Sequence, residues 1–283
     1  MFNYKVLILL SLILITLKAE VSVILPYSSI VLDDDKSFKN NGTVSGFYTS
    51  TGTLVYLSEF EYTHTDIKYK FITENLTQDE FTMRYNRFFI DHSYKIGIHT
   101  NSTTDVDLQN GTTLIIGLNK WSWIGTSKFT YGGDIYNSSY ANGKDLNDNN
   151  SSVNVLQFTG YASYYKPFKW FSNTISLKLN IESISAYEKN YLSFELKNII
   201  YYKKLSIEMD AFIGKMQTGI RDTGSTVFNS KDILKQNLKI KVGYFITDKI
   251  KTTFSYASIV YDEYKNQDDL QKSAVAFTAS YTF

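Results

Sequence analysis

Runs of residues in this chain alternate between apolar and polar side chains so regularly that only an extended backbone can sort them. From Ile175 to Glu182, Ile175, Leu177, Leu179 and Ile181 share one parity, and Ser176, Lys178, Asn180 and Glu182 share the other. Neighbouring side chains of a strand point to opposite faces, so this run has one apolar face and one wet face. A helix would scatter the same residues around its circumference.

The rhythm recurs through residues 43–283. Leu54, Tyr56, Phe60 and Tyr62 stand against Glu59 and Glu61; Phe81, Met83 and Tyr85 stand against Glu80, Thr82 and Arg84. Tyr94, Ile96 and Ile98 oppose Lys95, Gly97 and His99, and Leu192, Phe194 and Leu196 oppose Glu195 and Lys197. Met209 and Ala211 oppose Glu208 and Asp210, and Leu238, Ile240 and Val242 oppose Lys239 and Lys241. Very short turns near Asp91, Gly125, Pro167, Lys203 and Asp248 alternate with polar loops at Thr65–Thr77, Asn101–Gly111, Asn137–Ser152, Gly219–Asp232 and Asp262–Gln271. The count is about twelve strands, with ten and fourteen as the neighbouring even counts. Thr43–Thr51 reads as a bent lead-in to the first strand, with Gly52 absorbing the bend.

Composition says what the two faces meet. Aromatics reach 16% while charged residues hold 20%, and mean hydropathy is only -0.21, which suits strands that are apolar on one side and wet on the other. Phe89, Trp121, Trp123, Tyr164, Tyr165, Trp170, Phe171, Tyr201, Tyr202, Tyr244, Phe245 and Phe283 all fall beside the short turns or the C-terminus. That places them at one height, as an interfacial girdle. Arg87 and Lys120 break the apolar parity near a short turn, where cationic ends reach headgroups at little cost.

The last twelve residues, Lys272–Phe283, carry Val275, Phe277, Ala279, Tyr281 and Phe283 on one parity and no charge after Lys272. This stretch resembles the C-terminal strand of bacterial outer-membrane β-barrel proteins, which ends in Phe. The resemblance implies an all-β fold: one transmembrane, antiparallel, up-and-down barrel with short periplasmic turns and longer extracellular loops. It also implies location in the bacterial outer membrane, contact with its lipid and lipopolysaccharide, and Tyr281 and Phe283 as a signal for the barrel assembly machinery. It identifies an architecture rather than one family.

Ahead of the barrel, Lys5, the apolar run Val6–Leu17 and Ala19 match a secretory signal peptide over residues 1–19, the run being too short to span a bilayer as a helix. Residues 20–42 mix an apolar piece with Asp33, Asp34 and Asp35. They read as a periplasmic tail, a lumen plug or an edge segment, without a period to choose between them.

If the apolar parity meets lipid, the lumen is lined by Glu59, Glu61, Glu80, Arg84, Lys95, Lys128, Asp134, Lys178, Glu182, Glu195, Lys197, Glu208, Asp210, Lys239, Lys241 and Lys251. Both signs are present, and adjacent strands bring Glu208 and Asp210 to Lys239 and Lys241 as cross-strand pairs. Lys239, Lys241 and Lys251 set against Glu195, Glu208 and Asp210 create a transverse field at a constriction, which favours small polar or zwitterionic solutes. The function these features suggest is passive diffusion of such solutes through a narrow pore. No cofactor is expected, and a formal net charge of +1 argues against nucleic acid as a partner.

Two rivals remain. Some barrels of similar strand number are phospholipases, and His99, Asn101 and Ser102 stand together at a loop edge. The signature His-x-Ser-Asn-Gly is absent, however, and His99 shares parity with Lys95, so catalysis is not expected. Three scattered His give no metal spacing. A closed structural or adhesive barrel acting through its Asn-, Asp- and Ser-rich loops is the other rival.

Overall fold

The computed structural model describes residues 21–33, 37, 39–70, 75–104, 108–144, 150–185, 189–221, 226–227, 232–263 and 269–282. The signal-peptide segment and Phe283 lie outside them. One half of the structure is an antiparallel run of β1 (Val21–Asp33), β2 (Lys39–Gly52), β3 (Tyr56–Tyr69), β4 (Leu76–Phe88), β5 (His92–Thr103), β6 (Leu108–Ile124) and β7 (Ser127–Lys144). The other half is β8 (Asn150–Pro167), β9 (Ser172–Ile184), β10 (Lys189–Tyr202), β11 (Leu205–Met216), β14 (Ile233–Phe245), β15 (Ile250–Asp262) and β16 (Leu270–Thr282). Between β11 and β14 the two-residue strands β12 (Ile220–Arg221) and β13 (Thr226–Val227) pair as a small separate hairpin. Each long strand pairs with its sequence neighbours, and β1 pairs with β2 on one side and β16 on the other, which closes the ring.

The wall therefore has 14 strands rather than about twelve. Both additional strands come from the N-terminal part of the chain. Val21–Asp33 is neither a tail nor a plug but β1, with pairing that runs from Val21 against Gly52 to Val31 against Gly42. Thr43–Thr51 belongs to β2, a strand in its own right. Ladder hydrogen bonds join backbones, so a strand with Ser, Thr and Gly on both parities pairs well while showing no alternation.

The polar loops are also shorter than composition suggests. Asn137–Ser152 is mostly strand, since β7 runs to Lys144 and β8 starts at Asn150. Each of these strands has 18 residues, about 60 Å of extended chain against an apolar band about 25 Å tall, so even when tilted they rise well above the bilayer. Asn137 and Ser139 are exposed on the outer face there while Ser138 and Tyr140 are buried on the inner one, the alternation of a strand and not of a turn.

The outer face is apolar through the middle of the wall. Ile96, Leu177, Phe194 and Leu238 are each more than half exposed, at 55%, 59%, 55% and 54%. Around Phe60 the outer face carries an aromatic patch, with ring centroids 5.5 Å from Phe47 and 4.4 Å from Phe81. At the short-turn end Phe89, Tyr164, Trp170, Phe171, Tyr202 and Tyr244 are all exposed, as a girdle requires. Trp121, Trp123, Tyr165, Tyr201 and Phe245 depart from the girdle. They fall on the inward parity, shared with the buried Ile115, Gln157, Glu195 and Gly243, and the Trp121 ring helps to line the lumen.

The inner face changes character along its height. Toward the short turns it is polar; toward the long loops it holds Tyr140, Val153, Val155, Ile184 and Tyr191 in one apolar cluster and Phe212, Met216 and Leu234 in another. An inner wall polar throughout was the expectation. Between these clusters and the polar part, Ile115 and Tyr136 pack against Ile220 of the chain that follows β11, and Tyr191 donates to Gln217 at 3.1 Å.

Candidate functional site

All sixteen charged residues read as lumen-lining lie on strands, and none is exposed. Six are fully buried: Arg84, Lys95, Asp134, Glu182, Glu195 and Asp210. Burying a charge is tolerable only with a partner, and the structure supplies several. Lys95 Nζ lies 2.8 Å from Asp134 although their strands flank β6, because Gly117 stands between them in the register. A Cβ at Gly117 would run into Asp134 and Lys95. Arg84 donates to Glu59 at 3.3 Å, and Tyr48 and Asn86 also donate to Glu59, at 2.7 and 2.9 Å. Lys197 and Lys241 both reach Glu208, at 3.3 and 3.0 Å.

The unforeseen part of the site is the start of the connection after β11. Gly214 has φ of 124°, at a bulge where a Cβ would collide with the Leu192 carbonyl. Beyond it, Gln217–Arg221 turns into the lumen instead of outward. The backbone N–H groups of Gln217 and Thr218 donate to the Glu182 carboxylate at 3.0 and 2.9 Å, and the Thr218 hydroxyl adds a third bond at 3.1 Å. Gln157 pairs with Ile220 as a strand would, its amide oxygen accepting from the backbone N–H and its amide nitrogen donating to the carbonyl, both at 2.7 Å. Ile220 packs on Ile115 and Tyr136. The Arg221 guanidinium lies 3.3 Å from Glu195, 3.4 Å from Asp210 and 4.8 Å from the Phe212 ring centroid.

This seating changes the expected electrostatics. Glu195 and Asp210 do not project as free acids toward a lysine cluster; Arg221 lies between them. Glu208 sits directly opposite Lys241 on the adjacent strand and Asp210 opposite Lys239. Charges paired laterally between neighbouring strands have a short-range field. The long-range transverse field expected from the sequence is therefore reduced to local pairs around a cationic loop residue. Gln157, Tyr191, Gln217, Thr218, Ile220 and Arg221 all escaped sequence reading, the last four because they lie between β11 and β14, where no run is long enough to show a parity.

Beneath Ile220 and Arg221, on the short-turn side, lies a cavity of about 310 Å³. Trp121, Lys128, Asp134, Tyr161, Lys178 and Asn180 are among its lining residues. Lys128 Nζ stands 4.7 Å from the Trp121 ring centroid, and Lys178 is 3.8 Å from Glu195. At the opposite, long-loop end, Ser37 donates to Glu263 at 3.0 Å, Tyr261 donates to Ser37 at 3.1 Å, and Lys39 pairs with Asp232. The lumen is thus crossed by protein near its long-loop end and retains a mixed-charge chamber below.

The residues of the hydrolase reading do not converge. His99 is 2% exposed on the inner wall, with Nδ1 2.8 Å from Thr82 Oγ1. Asn101 is buried on the same face, while Ser102 is exposed on the other.

No protein-family model matches the chain, and no curated protein matches it. Solved structures do. The chain resembles a NanC porin (13% identity, TM-score 0.50, covering 90% of this chain and 98% of that one). It also resembles Omp33, an outer-membrane protein of Acinetobacter baumannii (10%, 0.50, 94% and 100%), and the Pseudomonas putida toluene transporter TodX (6%, 0.52, 93% and 89%). At such identities the likeness speaks for the fold alone. That fold is the one shared by bacterial outer-membrane β-barrel proteins.

Proposed function

We propose that the chain is a channel of the bacterial outer membrane that lets small polar solutes diffuse passively through a lumen narrowed by its own Gln217–Arg221 segment. The observation that carries this reading is the chamber of about 310 Å³ below the infolded segment. It is lined by charges of both signs and by hydroxyl, amide and aromatic groups, and it is large enough for a small solute. Among the similar structures, one is a porin and another a toluene transporter. The buried pairs Lys95–Asp134 and Arg221–Glu195 favour polar cargo over hydrocarbon here. Lipid and lipopolysaccharide surround the barrel in this reading, and the assembly machinery recognises Tyr281 and Phe283.

Catalysis is not part of the proposal. What weighs against it is the placement of His99 and Ser102 on opposite faces of β5. The test is single-channel recording from the purified chain in a planar bilayer. Discrete steps of conductance support the channel. A silent bilayer holding correctly inserted protein would leave a closed structural or adhesive barrel as the better reading.

A further inference from the structure

The short-turn rim carries a group of cations that the lumen does not use. Arg87, Lys120 and Lys166 are exposed on the outward parity, each two residues beyond an outward Tyr85, Leu118 or Tyr164. Two residues of strand are about 6.6 Å, the step from the edge of hydrocarbon to the phosphate layer. Lys169, Lys203, Lys204 and Lys249 are exposed on the turns at the same end. Asp91 and Asp248 are the only exposed acids there among the described residues, and Asp91 is bonded to His92 Nδ1 at 2.7 Å.

Aromatic rings of the girdle adjoin several of these cations. Arg87 lies 6.0 Å from the Phe89 centroid, Lys166 5.1 Å from Phe168, Lys169 5.2 Å from Trp170 and Lys203 5.3 Å from Tyr202. Such contacts fix the height of a cation at the interface without neutralising it. At the long-loop end the exposed cations Lys68, Lys189 and Lys215 are accompanied by the exposed acids Asp79 and Asp269, Lys235 is shared by Asp262 and Asp269, at 3.1 and 2.6 Å, and Lys39 pairs with Asp232. None of the rim cations forms a salt bridge among the described residues.

We propose that the short-turn rim is a binding surface for anionic phospholipid, gathering phosphatidylglycerol-type headgroups around the barrel in the leaflet it faces. A zwitterionic lipid offers the same phosphate but brings its own cation, so only a net negative headgroup offsets unpaired ammonium and guanidinium groups. A soluble anionic partner would not need the cations on the lipid-facing parity or beside the girdle. The proposal rests on placing the barrel in a bilayer, not on conductance.

Trp170 is 69% exposed at this rim and serves as the reporter, with Trp121 and Trp123 changed to Phe in the chain used. The full chain is reconstituted in phosphatidylcholine with a minor fraction of phosphatidylglycerol, with bromine placed on one lipid or the other, and tryptophan quenching is compared at equal mole fraction. Brominated phosphatidylglycerol should quench as though bound at least about threefold more tightly. The preference should collapse in about 1 M salt, where the screening length is short. It should also vanish when Arg87, Lys120, Lys166, Lys169 and Lys203 are changed together to Gln. Equal quenching by the two lipids in low salt overturns the proposal and leaves the bilayer placement intact. No quenching by either removes the placement itself, and the proposal with it.

Discussion

Two sectors of the lumen wall are built from the same kind of strand and end up differently. Along β7–β11, the inward acids that meet Arg221 are sealed: the Glu195 and Asp210 side chains are each 2% exposed. Along β14 and β15, the inward lysines keep more water, with the Lys241 side chain at 29%. The infolded segment makes the difference, because it docks on the first sector through Glu182, Gln157, Glu195 and Asp210. One sector has become a seat, and the chamber below the segment is lined from β4–β10, largely that same sector. Charge on the wall therefore cannot be read as pore charge without knowing which residues the segment covers.

Removing the segment should have the largest effect. Replacing residues 217–231 with a short Gly-Ser turn should raise single-channel conductance about fivefold, the gain expected when a constriction is lost. Unchanged conductance would show that the segment does not narrow the path.

Ile220→Asp comes next. A carboxylate placed against Ile115 and Tyr136 costs the seat about 3 kcal/mol through lost apolar contact and desolvation. Recordings should flicker between the wild-type level and that of the shortened loop. Steady wild-type current would mean that hydrogen bonds alone hold the segment.

Arg221→Gln should act on selectivity more than on size. It leaves Glu195 and Asp210 without their guanidinium, so reversal potentials in a salt gradient should move toward cations, by about threefold in permeability ratio. A shift toward anions would contradict the assigned pairing.

The smallest effect belongs to the less covered sector. Lys241→Gln breaks a partly exposed pair with Glu208 and should change stability by less than about 1 kcal/mol, with a selectivity shift smaller than that of Arg221→Gln. A larger shift than at Arg221 would reverse the assignment of the sectors.

How much of this was legible in the sequence follows the same division. β9 could be read residue by residue, because Ile175 to Glu182 contrast at every step. β1 and β2 could not, since Ser28, Ser29, Ser45, Thr49 and Ser50 give neither face a chemical signature, and only the pairing of β1 with β16 and of β2 with β1 and β3 shows their place. The inward charges were legible as a face but not as partners. Glu182 looks like any lumen acid until Gln217 and Thr218, more than thirty residues away (separations of 35 and 36), donate to it. Gln157 meets Ile220 across a separation of 63. Periodicity reports neighbours one and two positions apart, and such contacts leave no trace in it.

The chain contains no cysteine, so single introduced thiols can be followed without background. The most direct test compares labelling of Leu177→Cys, Lys241→Cys and Asn180→Cys by a membrane-impermeant thiol reagent, with the barrel in a bilayer. Lys241→Cys should react fast, Asn180→Cys slowly until the 217–231 segment is removed, and Leu177→Cys scarcely at all. Labelling of Leu177→Cys as fast as Lys241→Cys would mean that the apolar parity meets water, and neither the membrane barrel nor the channel would survive it.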